Sequence, residues 1–287
     1  MKYSAITLCF IMSSLLVLLL ASRARASQPD IFTVKVGDIE VSMLSEVQRD
    51  GSPDILIGAS KADIEKFMPD RSYKSAVAAY LIKSPEDVVL VDTGFGREIE
   101  RNIKSLGLQS SDIRALLITH SHGDHIGGLL KDGGAAYPGA KVFISKLEYD
   151  WSAQVRESLA KYGDSVELIT PGTLDAPGPE IIKGVTPIAA YGHTPGHTIF
   201  LVESKGEKLM IWGDLTHVMA IQAPRPGISV TYDSDPDQAA SVRKSVLKFV
   251  SDNKIPVAGM HIAYPGIGDI LPDPDNLGGY KFIPSAK

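Results

Sequence analysis

The chain has 287 residues, and 44% of them are hydrophobic, which is enough for one large domain with a sizeable buried core. Acidic residues outnumber basic ones by 34 to 29, and the resulting net charge of -5 argues against nucleic acid or an anionic membrane as a partner. Cys9 is the only cysteine, so an internal disulfide and a metal site built from several thiolates are excluded.

The first 26 residues have the pattern of a secretory signal peptide. Lys2 supplies a positive start, an apolar run extends from Ile6 to Leu20, and Ala24-Arg25-Ala26 fits the small-x-small rule for cleavage. We therefore expect residues 1–26 to be removed, with cleavage after Ala26, from a protein that is exported to the periplasm or secreted. An uncleaved anchor is the alternative, but the apolar run is short for a membrane-spanning helix.

Cleavage would leave residues 27–287 as one catalytic domain with no membrane attachment. The net charge would change from -5 to -8, because Lys2, Arg23 and Arg25 are removed and no acidic residue is. The mature chain would also lack any thiol, which excludes a cysteine nucleophile and a thiolate metal ligand.

Hydrophobic periodicity predicts strands and helices that alternate along the chain. Gly37-Asp38 is typical of a tight hairpin turn between two short strands. The predicted strands are Ile31 to Val36, Ile39 to Leu44, Ala76 to Ile82, Asp87 to Val91, Ile113 to Ile118, Val142 to Ile144, Thr186 to Tyr191, Thr198 to Glu203, Lys208 to Gly213 and Val257 to Ile262. The predicted helices are Ser60 to Met68, Arg97 to Leu106 and Asp235 to Ser251, and the segment Leu147 to Tyr162 is predicted to be mostly helical. Two halves of this mixed kind indicate one α/β domain in which two sheets pack face to face with helices outside.

The histidines are concentrated after residue 119, most densely in Thr119-His120-Ser121-His122-Gly123-Asp124-His125. Alternate residues of an extended segment point the same way, so His120 and His122 share a side, and Asp124 and His125 follow as the chain turns. Imidazole and carboxylate are the ligands that zinc takes when no thiolate is available. Helix capping would account for one or two of these side chains, but not for all four.

Three further ligand candidates stand where other predicted strands begin or end. His197 follows a Pro195-Gly196 turn, Asp214 follows Trp212-Gly213, and His261 lies near the end of the last predicted strand. The chain thus offers five histidines and two aspartates, whereas one zinc ion needs three or four ligands. Because a carboxylate can bridge two ions, this inventory indicates a two-metal centre.

In order and spacing, these residues resemble the H-x-H-x-D-H, H, D, H pattern of the metallo-β-lactamase superfamily. The resemblance implies a four-layer αββα sandwich of two mixed sheets flanked by helices. It also implies the ligand sets: His120, His122 and His197 for one ion, Asp124, His125 and His261 for the other, and Asp214 as the bridge. The family pattern selects the second histidine of the segment Gly192 to Thr198, so His193 is not expected to bind metal.

Other segments are similar to a secreted branch of the superfamily that includes methyl parathion hydrolase and quorum-quenching lactonases. They include Val91-Asp92-Thr93-Gly94, Gly213-Asp214-Leu215 and Tyr264-Pro265-Gly266-Ile267-Gly268. This resemblance implies a hydrolase of N-acyl-homoserine lactones, aryl esters or phosphotriesters. A hydroxide held between two divalent ions would be the nucleophile, with Asp124 and Asp214 as the catalytic side chains.

The sequence leaves open the identity of the metal, the activity, the substrate and the oligomeric state. We expect zinc, although manganese, cobalt or iron would suit the same ligands. The alternatives for function are a β-lactamase or a thioester hydrolase of the same superfamily, or a periplasmic metal-binding protein without activity. The expected partner is a small-molecule substrate, whose identity the sequence does not define, and the sequence also leaves open whether the chain forms a homodimer.

Four residues are candidates for supporting roles. Asp92 resembles a strand aspartate of the superfamily that orients a ligating histidine, although Asp-Thr-Gly is also a common turn. His217, three residues after Asp214, is a candidate for the substrate pocket. Trp151 and Tyr264 are candidate pocket walls, although aromatic residues near the ends of strands and helices are more often part of the core.

Overall fold

Alternating apolar residues build two β-sheets that pack against each other in the computed structural model. The structure describes residues 31–276 and 278–286. Cys9, the predicted signal peptide and its cleavage after Ala26 therefore lie outside the described residues. Within these ranges, no helix combines the length and apolar character needed to span a membrane.

The strands are short, and most belong to the two large sheets. In chain order they are β1 (Ile31–Val36), β2 (Ile39–Gly51), β3 (Leu56–Ile57), β4 (Tyr73–Lys83), β5 (Val88–Val91), β6 (Ala115–Ile118), β7 (Leu130–Lys131), β8 (Gly134–Ala135), β9 (Lys141–Ser145), β10 (Val166–Ile169), β11 (Val185–Ala189), β12 (Thr198–Ser204), β13 (Glu207–Ile211), β14 (Ser229–Val230), β15 (Val257–Ala258), β16 (Ile267–Pro272) and β17 (Tyr280–Pro284).

Seven α-helices and three 3-10 turns lie among these strands in the described part of the chain. The helices are α1 (Lys61–Phe67), α2 (Ile99–Ser105), α3 (Gly123–Ile126), α4 (Lys146–Trp151), α5 (Ala153–Leu159), α6 (Met219–Gln222) and α7 (Pro236–Asn253). The 3-10 turns are Pro53–Ile55, Ser110–Asp112 and Ala160–Ser165.

The first sheet has seven strands in the order β1-β2-β4-β5-β6-β9-β10. Its β1 to β5 half is antiparallel and begins with the predicted hairpin, where Gly37 takes the positive φ of 56° that the turn requires. From β5 to β10 the neighbouring strands are parallel. Parallel strands end at one edge of a sheet, and the histidine-rich segment after Ile118 begins at this edge.

The second sheet has six strands in the order β11-β12-β13-β15-β16-β17. Its neighbours are antiparallel except β13 and β15, which are parallel. Because these two strands run the same way, the residues that follow them emerge at the same edge. Asp214 follows β13 and His261 follows β15, so the sheet brings both close together.

Three apolar clusters define the layers. The first fills the space between the sheets with side chains such as Tyr80 and Phe200. The second packs the outer face of the first sheet against α2 and α5, and includes Ile103 and Val155. The third packs the outer face of the second sheet against α7, and includes Val246. The predicted order of helix, sheet, sheet and helix is confirmed.

One predicted segment contains a break, and one predicted strand is too long. Leu147 to Tyr162 is mostly helical, as predicted, but it is divided because Ser152 is extended (φ -98°, ψ 114°) and accepts a hydrogen bond from the Val155 N–H as the cap of α5. The last core strand does not run to Ile262, because the Ile262 N–H donates to the Gly259 oxygen (3.2 Å) and closes a turn. The strands β16 and β17 then follow β15, and they were not predicted from the sequence.

Candidate metal centre

The candidate ligands come together at one end of the sandwich, where loops from both sheets meet. The loop after β6 carries His120 to His125, and the loop before β12 carries His193. These two loops are joined by a backbone hydrogen bond of 2.9 Å from the Thr198 N–H to the Thr119 oxygen. Asp214 and His261 approach from the second sheet.

One group of ligand atoms consists of His120, His122, His193 and Asp214. Nε2 of His193 lies 3.2 Å from Nε2 of His120 and 3.0 Å from Nδ1 of His122. Oδ2 of Asp214 lies 3.3 Å from the same His193 nitrogen. These atoms all lie within 4.8 Å of one another, which is the arrangement expected of side chains that share one ion.

A second group consists of Asp124, His125 and His261. The Asp124 carboxylate lies 3.9 Å from Nε2 of His125 and 3.5 Å from Nε2 of His261. The other ring nitrogen of His261, Nδ1, lies 2.8 Å from the Ala76 carbonyl oxygen and donates to it, which directs Nε2 into the group. The sequence predicted all three residues as ligands of one ion.

Asp214 lies between the two groups. Its Oδ1 is 3.0 Å from Nε2 of His125, and its Oδ2 is 3.0 Å from Nε2 of His261 and 3.3 Å from Nε2 of His193. Gly213, with a φ of 53°, allows this approach, because a Cβ there would lie 2.5 Å from Nε2 of His197. The carboxylate therefore has the position expected of a bridge between two ions.

His197 does not join the ligand atoms, contrary to the sequence expectation, and His193 takes that place. Both ring nitrogens of His197 contact the backbone: Nδ1 donates to the Ala190 oxygen (2.9 Å), and Nε2 accepts from the Asp214 N–H (3.0 Å). The sequence contains both histidines in one short segment, and only their backbone contacts distinguish them. His197 thus supports the loop that carries Asp214.

Two buried carboxylates contact ligand histidines from behind. Asp92 accepts a hydrogen bond from Nδ1 of His125 (2.7 Å) and others from the N–H and hydroxyl of Thr119, as its predicted orienting role requires. Asp233, which was not predicted from the sequence, lies 2.9 Å from Nδ1 of His193. Asp233 is 40 positions from His193 and follows no recognisable motif, so nothing in the sequence pointed to it.

The other sequence candidates divide into one at the centre and two away from it. His217 is buried, with Nε2 3.0 Å from Oδ2 of Asp214, and its ring stacks on that of His261 at 4.7 Å between centroids. Trp151 is 48% exposed on α4, and Tyr264 packs edge to face against Phe32 beside the inter-sheet core. Neither aromatic residue lines the cavity at the centre.

That cavity has a volume of about 390 Å³ and opens beside Asp124, Asp214, His217 and His261. Its other wall contains Arg49, Ile55, Tyr73, Phe95 and Tyr232. Phe95 stands between Gly94 and Gly96, both with positive φ, and this glycine pair was the one sequence signal that could have identified it. A metal centre with apolar rings beside it can bind a small organic substrate.

The protonation states of His120, His122 and Asp214 suit a divalent cation, which binds neutral imidazole and ionised carboxylate. Burial lowers the pKa of His120 well below its ordinary value and that of His122 to about 4, so both rings are neutral. Burial opposes the charged forms of His125 and Asp214 as well, but each stabilises the other's charge. The pKa of His125 is therefore raised well above its ordinary value, and that of Asp214 is lowered well below it.

Buried atoms without a hydrogen-bond partner also fit a metal ion. Among the described residues these include Nε2 of His125 and Oδ1 of Asp214, which face each other at 3.0 Å without hydrogen-bond geometry. A buried polar atom left in this state is costly, and a cation between the two would satisfy both. Nitrogen and oxygen donors in this number are suitable for zinc and similar ions.

Comparison with known proteins agrees with this site. The profile of the metallo-beta-lactamase superfamily matches residues 73–254. An N-acyl homoserine lactonase of Bacillus cereus is 26% identical over 164 residues, which cover 47% of this chain and 61% of that protein. The probable metallo-hydrolase YybB of Bacillus subtilis is 27% identical over 160 residues, covering 52% and 66%. These matches span less than two thirds of each relative's length.

Solved structures agree over more of the chain. AidC, a dizinc quorum-quenching lactonase solved in complex with a product, superposes with a TM-score of 0.80 at 23% identity and covers 90% of this chain and 98% of its own. AbOPH, a hydrolase in the beta lactamase superfamily, has a TM-score of 0.78 at 23% identity, covering 91% and 99%. At this identity the likeness concerns the fold alone. Together with the profile match over more than half of the sequence, it shows that the chain belongs to the metallo-beta-lactamase superfamily.

Proposed function

We propose that this protein is a metal-dependent hydrolase of lactones, aryl esters or phosphotriesters that uses two divalent metal ions. Zinc is the metal that we expect. The observation that carries the proposal is the position of Asp214, whose carboxylate lies 3.3 Å from His193 of the first ligand group and 3.0 Å from His125 and His261 of the second, beside an open cavity. A structural histidine cluster would not need a carboxylate shared in this way.

The residues divide into two ligand sets. His120, His122 and His193 would hold one ion, Asp124, His125 and His261 the other, and Asp214 both. When bound, such a pair of ions supplies Lewis acidity and lowers the pKa of water to about 7, so hydroxide is available at neutral pH.

The remaining chemistry belongs to the side chains around the cavity. Asp124 is a quarter exposed and lines the cavity, so its carboxylate can accept the proton that the attacking water releases and pass it to the oxygen of the leaving group. The ring of His217, held beside Asp214 and stacked on His261, forms the adjacent wall. Tyr73, Phe95 and Tyr232 offer apolar surface to an acyl or aryl group and help to keep bulk water from it.

The relatives support a lactone as the first substrate to test. The Bacillus cereus protein and AidC are both lactonases, and AidC was solved with the product of an N-acyl-homoserine lactone. The cavity walls fit the same choice, because they combine apolar rings for an acyl chain with an open approach to Asp214.

The test is a hydrolysis panel run on the protein as purified, after chelation and after zinc is returned. We expect turnover of N-acyl-homoserine lactones or aryl esters, with phosphotriesters slower or comparable and a cephalosporin poor. Chelation should abolish turnover, and zinc should restore it. Turnover of the β-lactam or of a thioester above every lactone and ester would favour the alternative activities. No turnover at all by a metal-loaded protein would favour a metal-binding role.

We also propose that residues 1–26 are a signal peptide and that residues 27–287 act outside the cytoplasm. The proposal rests on Lys2, the apolar run from Ile6 to Leu20 and Ala24-Arg25-Ala26. Mass spectrometry of the protein recovered from expressing cells should give a mature chain that begins at Ser27. A chain that still begins at Met1 in an exporting host would refute the proposal.

A further inference from the structure

A fully buried glutamate lies behind the first ligand group and has no part in the chemistry described so far. Glu148 is on α4 and is 0% exposed. Isolated carboxylates are rarely buried, because loss of water around the charge is costly unless hydrogen bonds replace it. The partners of Glu148 therefore indicate what the residue does.

Glu148 accepts four hydrogen bonds, two on each oxygen. Oε1 accepts from the N–H and the hydroxyl of Ser121, at 2.8 and 2.6 Å. Oε2 accepts from the hydroxyl of Thr194 at 2.6 Å and from the N–H of Gly196 at 3.1 Å. All four donors belong to the two loops that carry the three histidines of the first ligand group.

The positions of these donors relate Glu148 directly to the ligands. Ser121 stands between His120 and His122, and Thr194 is the residue after His193. One carboxylate thus joins the two loops whose three imidazoles meet at about 3 Å from one another. Within the described residues, none of these donors is adjacent in sequence to Asp124, His125 or His261, the second ligand group.

Gly196 makes this contact sterically feasible. A Cβ on Gly196 would lie 2.2 Å from the backbone nitrogen of Glu148, closer than any real side chain allows. Gly196 therefore has two roles: it forms the Pro195-Gly196 turn, and its lack of a side chain allows α4 to approach the loop. The sequence pattern showed the turn but not the glutamate that contacts it.

We propose that Glu148 is a positioning residue for the first metal ion, holding the loops of His120, His122 and His193 at the separation that one ion requires. The inference rests on the ligand sets of the proposed function. A charged acceptor is needed because four donors converge on it. Glutamine would present an NH₂ group to one pair of donors and would leave at least one N–H unsatisfied.

The test is a Co²⁺ titration of the chelated full-length protein, followed by the visible absorption of each site, with Glu148→Gln compared with wild type. We expect the affinity of the first site to fall by about 10- to 100-fold, the usual effect of removing a group that orients metal ligands. The Co²⁺ affinity of the second site should fall far less. The shape of the Co²⁺ spectrum should also change for the first site, since the ligand geometry is altered.

Glu46→Gln is a matched control. Glu46 is another carboxylate that accepts several backbone N–H groups, those of Phe95, Arg97 and Glu98, but these lie in a loop without predicted ligands. We expect this variant to lower thermal stability without reducing either metal affinity. If both variants weakened both sites equally, Glu148 would have only a general structural role, and the proposal would be wrong.

Thr194→Val covers the case in which Glu148→Gln fails to fold, because it removes one hydrogen bond and keeps the side-chain shape. It should weaken the first site by about tenfold or less and spare the second. Wild-type affinities in either folded variant would overturn the inference while leaving the proposed function standing. A wild-type protein with no two-site titration would instead contradict the proposed function.

Discussion

Oδ1 of Asp233 lies 2.9 Å from Nδ1 of His193, and this contact determines which nitrogen of His193 faces the other ligands. The same carboxylate accepts the Val230 N–H (3.1 Å) and lies 3.5 Å from the guanidinium of the buried Arg243. Arg243 in turn donates to the oxygen of Leu215, the residue after Asp214. A chain of buried polar contacts therefore links His193 to the loop of the bridging carboxylate.

Asp233→Asn should weaken metal binding, because an amide is a poorer acceptor for the His193 N–H and does not balance the charge of Arg243. We expect a loss of about 10- to 100-fold in affinity for the first ion. Competition with a chelator of known affinity measures it. Unchanged affinity would show that the orientation of His193 does not depend on Asp233.

His193→Ala and His197→Ala should separate the two histidines of their segment. His193→Ala removes a ligand atom, so the purified protein should hold fewer than two ions. His197→Ala removes two backbone hydrogen bonds and should cost about 1–3 kcal/mol of stability while both ions remain bound. Elemental analysis and thermal unfolding of both variants give the answer. The reverse pattern of metal loss would restore His197 as the ligand.

Asp214→Asn should damage catalysis more than the fold. The amide keeps the shape of the side chain but removes the negative charge that faces both ligand groups. We expect the turnover rate to fall by about 10² or more, with one ion bound more weakly. The rate and the metal content are measured on the same preparation. A variant with both ions and near-normal turnover would mean that another carboxylate is the bridge.

Phe95→Ala should affect substrates with long acyl or aryl groups, because Phe95 lines the cavity and is 37% exposed there. We expect kcat/KM for such substrates to fall by about tenfold, which corresponds to ~1.4 kcal/mol of lost apolar contact. Trp151→Ala is the control, since Trp151 is exposed outside the cavity and should leave kcat/KM unchanged. A larger effect of Trp151→Ala would place the substrate on α4 instead.

The fold was predictable from the sequence because turn residues, helix caps and apolar runs lie where the structure begins, ends or buries its elements. The Gly37-Asp38 turn, the Ser60 cap and the apolar run at Ile118 each define an element without help from distant residues. The short strand β15 and the split at Ser152 were not predictable, because contacts with other elements decide where they stop.

The candidate ligands of the dense histidine segment could be proposed from their spacing, and the structure brings them together. The choice between His193 and His197 was not, because it depends on which ring is turned toward the backbone of Ala190 and Asp214. The supporting residues Glu148 and Asp233 were missed for a similar reason. Their roles come from packing between distant segments, and no local pattern accompanies them.

If the Asp214 carboxylate serves two metal ions, the number of ions bound by each chain will show it. The measurement is elemental analysis of the full-length protein, expressed with zinc available and purified without chelator, against a protein concentration from amino-acid analysis. We expect about two ions per chain, because Asp214 lies between two groups of ligand atoms. A ratio of one, with all seven ligand residues intact and full hydrolytic activity, would contradict it.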